Sequence, residues 1–184
     1  MSEHPPKLSR FERLLLSNQM RILEALYPQD AESIAINREA IERGYEMLYE
    51  WEIMEHINDG PSVMTREESE EVWDTLDMFS EIQNFFERNP KSELKERPFS
   101  SFRGYDGNTE TKFMAFAAYT VKRLQRFESI TLAKENYWNS HMPVRDVYCR
   151  MLTEWEKKPR PQRMELTAAD VEALLNAAIH PDSR

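Results

Sequence analysis

Apolar residues recur along this chain at intervals of three and four, and the runs are punctuated by capping residues and prolines rather than by strand-like alternation. Ser9 stands three residues before Glu12, the spacing of a capping box, in which hydroxyl and carboxylate satisfy each other's free backbone N–H groups. The helix it opens carries Phe11, Leu15, Ile22 and Leu26 on one face and stops at Pro28. Asp30 is placed to cap a second helix that runs to Gly44, since glycine takes the left-handed conformation that ends helices. A third amphipathic stretch covers Tyr45 to Ile57 and closes on the turn sequence Asn58-Asp-Gly-Pro61.

A second capping box, Thr65 with Glu68, opens a long helix whose Val72, Leu76, Phe79 and Phe86 share a face, and Pro90 ends it. Lys91 to Asn108, with Pro98 and two glycines, is expected as a structured loop. Asn108 or Thr109 is expected to cap the next helix, whose seam is Phe113, Ala117, Thr120, Leu124 and Phe127. Glu128 to Met142 has an ambiguous pattern. Pro143 suits the first turn of a helix bearing Val144, Tyr148, Leu152 and Trp155. Pro159 and Pro161 mark a linker, and Thr167 caps a final helix with Val171, Leu174 and Leu175 inward. Long alternating strands and solenoid-length repeats do not occur in the pattern. These signals predict an all-α fold, a compact multihelical single domain of about seven to eight helices over residues 9–179. A flexible tail is expected at 1–8 and a short one at 180–184.

Composition agrees with a folded chain of single-domain size: 184 residues, 40% hydrophobic, 31% charged and 11% aromatic. Cys149 is the sole cysteine, which excludes an internal disulfide and a Cys-rich zinc site and suits a reducing compartment. The N-terminal stretch has no apolar core of signal-peptide length, and the most apolar segment, Phe113 to Tyr119, is far below a membrane span. The expectation is a cytoplasmic protein with no membrane partner. The net charge of −9 is unevenly placed: residues 29–96 hold 19 acidic and 6 basic side chains, residues 97–163 hold 13 basic and 7 acidic. Such halves could steer a partner or pair two copies head to tail, or could be two solvated faces and no more.

Five segments then carry a family likeness: RLLLSNQ (Arg13 to Gln19), ERGY (Glu42 to Tyr45), FRGYD followed by NTE (Phe102 to Glu110), YCRML with its trailing Trp155, and LTAADVEALLNA (Leu166 to Ala177). In this order and spacing the chain resembles the YfbU family of bacterial proteins, from about Leu8 to Ala177. The resemblance implies a cytoplasmic multihelical fold that self-associates, and it implies no established activity, cofactor or catalytic set.

Candidate chemistry is sparse. Asn18 falls on the apolar stripe of the first helix, where a buried amide must find a hydrogen bond across to another element or face a ligand. In FRGYD, Arg103 could bind a carboxylate or phosphate and Tyr105 could stack on a ligand. Alternatively, an Arg103 bridge pins the loop while Asp106 or Asn108 serves the next helix's free N–H groups. Asn18, Arg43, Tyr45, Arg103, Tyr105 and Asp106 are the ligand-binding candidates. Asp106-x-Asn108-x-Glu110 begins like a calcium loop but lacks the glycine at its sixth position and the glutamate at its twelfth. Glu52 and His56 share a helix face as a two-ligand pair without a third ligand, so no metal is expected. Cys149 beside Arg150 is either a thiol of lowered pKa or an inert buried one. Lys122, Arg123, Arg126, Arg150, Lys157 and Lys158, with Tyr137, Trp138 and Trp155, form a nucleic-acid alternative that the net negative charge opposes. The leading expectation is a non-catalytic interaction or regulatory module that forms a homo-oligomer and docks a protein partner, without a cofactor. A small-ligand protein or hydrolase with a pocket near FRGYD is the second alternative.

Overall fold

The computed structural model describes residues 7–58, 60–130 and 137–180, the side chains of residues 50 and 51 aside. Most of both expected tails, including His4, lies outside the described residues, as do Asp59 of the expected turn and residues 131–136 of the ambiguous stretch. Seven α-helices form among the described residues, without a strand: α1 Arg10–Leu26, α2 Ala31–Arg43, α3 Arg66–Arg88, α4 Thr111–Lys122, α5 Arg145–Trp155, α6 Arg160–Arg163 and α7 Ala168–Ala178. The fold is all-α. Contacts cluster in two compact units, Met1–Val63 and Met64–Arg184.

In the first unit, the Ser9–Glu12 capping box forms in full, with Glu12 N–H donating to Ser9 Oγ and Ser9 N–H to the Glu12 carboxylate. A 3-10 turn, Pro28–Asp30, reverses the chain so that α2 runs back along α1. Asp30 occupies the cap position of α2, but its carboxylate makes no capping bond; its carbonyl accepts from Ser33 Oγ instead. Gly44 ends α2 at φ 75°, ψ 39°, and a Cβ there would lie 2.4 Å from an Arg13 guanidinium nitrogen. The left-handed backbone explains the glycine in ERGY, since the flexible end of Arg13 is free to shift. Beyond it, the expected helix from Tyr45 to Ile57 shrinks to a π-helical turn, Tyr49–Ile53.

In the second unit, α3 starts on the Thr65–Glu68 capping box and buries Val72, Leu76, Phe79 and Phe86. It packs on α4 and α5, and α5 packs on α7. The expected inward residues of α5 and α7 are buried, and Thr167 caps α7 through a third capping box with Asp170. Three boundaries differ from the pattern. The seam of α4 stops at Lys122: Leu124 is exposed, and Gln125 and Phe127 adopt left-handed backbone, both at φ 53°. Pro143 precedes α5 by two residues rather than sitting in its first turn. The expected proline linker forms the short helix α6, with Pro161 in its first turn, where its missing N–H costs nothing.

Candidate functional site

FRGYD folds into the second unit's core. Gly104 sits at φ 87°, and a Cβ there would lie 2.0 Å from the Trp138 carbonyl oxygen, so any side chain would displace backbone. That approach lets Tyr105 N–H donate to the Trp138 carbonyl (3.0 Å) and Ser140 N–H to the Tyr105 carbonyl (3.1 Å), a lone β-bridge. Tyr148 Oη accepts from Arg103 N–H and donates to the Gly104 carbonyl, both at 3.1 Å. Tyr105 is fully buried against Phe102, Phe113 and Tyr148, and burial pushes its phenol well above the ordinary range. Its ring is therefore part of the core rather than a surface for stacking a ligand. Arg103 is exposed, with its guanidinium 5.5 Å from the Phe99 ring centre.

Asp106 and Glu110 hold the start of α4 and, through it, α5. One Asp106 carboxylate oxygen accepts from both Thr109 N–H (2.9 Å) and Thr109 Oγ1 (2.7 Å), which lowers its pKa. The expected cap, Asn108 or Thr109, gives way to Glu110, the residue immediately before α4. The Glu110 carboxylate faces away from its own helix: Oε2 accepts from Asp106 N–H (2.9 Å), and Oε1 accepts from Val144 N–H (3.0 Å) and Arg145 N–H (2.8 Å). A buried carboxylate thus neutralises the positive N-terminus of α5, a helix 34 residues further along the chain. Sequence reasoning did not single out Glu110 for this role.

Arg145 pairs bidentately with Glu71, at 2.7 Å for both bonds, over the Phe113 ring at 4.3 Å. Cys149 lies next to that pair. Burial, reinforced by Glu71, raises its thiol to about 11, so neighbouring Arg150 does not activate it. Arg150 instead donates to the carbonyls of Ala177 (3.4 Å) and Ala178 (2.9 Å), closing the C-terminus of α7.

In the first unit, Asn18 is exposed, and its neighbour Ser17 takes the buried place between α1 and α2. Ser17 Oγ donates to Glu42 at 2.7 Å, and Arg21 and Arg38 each donate to the same carboxylate oxygen at 3.1 Å. The Ser17 bond first, then those of Arg38 and Arg21, hold the Glu42 pKa down at about 2. Arg10, Arg13, Asn18 and Arg21 line a shallow cleft beside this network. Arg43 pairs with Glu39 at 2.7 Å along the same helix, and Tyr45 is exposed. The six ligand-binding candidates thus divide, three in each unit.

The apolar stripe of α1 faces away from α2. Phe11, Leu15, Ile22 and Leu26 are 46–67% exposed, while the side toward α2 carries Ser17, Arg21 and Glu24.

Residues 6–177 match the family described as the YfbU domain. The UPF0304 protein MJECS11 of Methanocaldococcus jannaschii is 33% identical over 174 residues, which cover 92% of this chain and 99% of that protein. The chain belongs to the YfbU family. The relative is archaeal, so the likeness is not confined to bacteria.

Several basic candidates of this YfbU chain have internal roles. Arg150 caps α7, Lys157 pairs with Glu154, and Lys158 pairs with Asp170. Lys122 lies 5.9 Å from the Trp138 ring centre, whereas Arg123 and Arg126 are exposed beyond the end of α4. Trp138 and Trp155 are buried, and Tyr137 is exposed. Glu52 and His56 lie on the surface, and among the described residues no three His, Cys, Asp or Glu side chains are grouped to hold a metal. No helix among the described residues is long and apolar enough to cross a membrane.

Proposed function

We propose that this YfbU protein is a non-catalytic, self-associating interaction module that works in the cytoplasm. The observation that carries this is the exposed apolar face of α1. A helix whose hydrophobic side points away from its own hairpin partner leaves a surface that water does not favour. The polar groups that the sequence offered for chemistry are spent on architecture: Asp106 and Glu110 secure the starts of helices, and burial keeps the Cys149 thiol protonated. The lone cysteine, held as a thiol, suits a reducing compartment. For nucleic acid, the engagement of Arg150 and Lys158 within the fold leaves a weaker basic surface than the sequence alone offered.

Sedimentation velocity over a hundred-fold range of protein concentration tests the proposal. Association into a defined oligomer is the expected result. A monomer at every concentration, together with no stoichiometric partner in a purification from the native host, would remove it.

A further inference from the structure

We propose that the cleft beside α1 is a binding site for a dianionic phosphate group, carried by free phosphate or by a small phosphate ester. Its wall follows from the spacing of α1: Arg10, Arg13, Ser17 and Arg21 succeed one another at intervals of three and four and so share one side of the helix. That side is distinct from the apolar stripe on which self-association rests. Glu42 of α2 is the acid of the cleft. Three arginines against one carboxylate leave the wall with a net charge of +2, in a chain whose net charge is −9.

The protein does not answer these cations itself. Of the three, only Arg21 reaches Glu42, and the same carboxylate oxygen already accepts from Ser17 and Arg38. Arg10 and Arg13 make no side-chain hydrogen bond or ion pair among the described residues, and the Asn18 amide makes none either. Arg13 is half-buried, and its Nε is closed off from water without an acceptor. A guanidinium that has left water without a partner is held at a cost that an anion would remove. A Cβ on Gly44 would lie 2.4 Å from the Arg13 guanidinium and 4.0 Å from the Tyr49 hydroxyl, which is likewise buried and unpartnered. All of these groups can donate, so what the cleft lacks is an acceptor.

Position adds to the charge. Arg10 and Arg13 stand at the start of α1, where the helix end is already positive, and Glu12, the acid there, is taken up by the capping box. Two guanidinium forks three residues apart suit the oxygens of one phosphate, with Asn18 and Arg21 further along for whatever the phosphate is attached to. The cleft, about 320 Å³, is at the small end for ligand sites, which fits phosphate or an ester of a few carbons. Two negative charges match the wall, whereas the net charge of −9 opposes a long polyanion.

Calorimetric titration of the full chain at about pH 8 and low salt tests the site, with inorganic phosphate and ribose 5-phosphate as separate probes, both mainly dianionic there. Each should bind saturably, one per chain; a clear preference for ribose 5-phosphate would identify an ester as the source, and equal affinities free phosphate. Arg10→Gln and Arg13→Gln should each weaken binding at least ~10-fold, with helix content unchanged in circular dichroism. Arg43→Gln removes the same charge from a guanidinium that is paired with Glu39 and is not part of the cleft wall, and it should leave binding intact. In the wild type, the Arg13 Nε–H resonance should move as either probe is added. Absence of saturation with both probes would overturn the site, and so would binding that both cleft variants leave unchanged. Tighter binding of a single-stranded RNA oligomer than of either probe, falling steeply with salt, would overturn the dianion assignment in favour of nucleic acid.

Discussion

Glu42 takes three side-chain hydrogen bonds and titrates at about 2, below its ordinary 4.5. For a carboxylate depressed on folding, the stabilisation is complete above the ordinary pKa and is lost as pH falls toward the folded value. The α1–α2 hairpin should therefore loosen between about pH 4.5 and 2. Hydrogen exchange across α1 and α2, corrected for intrinsic rates, should rise through that window, and Glu42→Gln should flatten the dependence. Gly104 makes a second prediction. Gly104→Ala combines positive φ with a clash against the Trp138 carbonyl and should cost at least about 2 kcal/mol in denaturant unfolding. At Cys149, reaction with a disulfide reagent should be slow at pH 8 and should climb about tenfold per pH unit toward 11.

At the scale of elements, the helices of the second unit are fixed by charges that arrive from elsewhere in the chain. The N-cap residue of α5 is Val144, which has no side-chain oxygen to offer, and from the start of α4 a single Glu110 oxygen, Oε1, accepts from both Val144 N–H and Arg145 N–H. Glu110→Gln keeps the shape, removes the charge and turns one acceptor into a donor facing N–H groups. It should destabilise the protein by about 1.5–3 kcal/mol, and the protection of the first-turn amides of α5 should fall first in exchange measurements. The three capping boxes work locally by contrast, and Thr65→Ala should cost about 1 kcal/mol without affecting α5.

At the scale of the whole molecule, the expectation of one domain over residues 9–179 meets a chain whose contacts cluster in two units. We propose that the two unfold together. Scanning calorimetry should then give one transition whose calorimetric and van't Hoff enthalpies agree, and two resolved transitions would show the units to be independent. Self-association would raise the melting temperature with protein concentration, a shift that Leu15→Glu should abolish.

The helices were legible in the sequence because their signals are local. A Ser or Thr three residues before an acid, a glycine past the last turn and a three-four apolar period act within a few residues of chain; the two expected capping boxes form, and Thr167 caps α7 as the pattern predicts. The end of α4 was not legible, since the apolar period ran on through Leu124 and Phe127 while the backbone turned left-handed at Gln125. Periodicity also says that a helix has an apolar face but not what covers it. On α1 that face is exposed and the opposite, polar side is packed, so Ser17 is buried and Asn18 is not. FRGYD stood out as a loop with candidate chemistry, yet only the tertiary structure could decide that Tyr105 is core, because the groups that enclose it come from α4, α5 and the loop at Trp138. Local hydrogen bonding along the chain set the elements, and the choice between core, cap and exposed face fell to contacts between residues tens of positions apart.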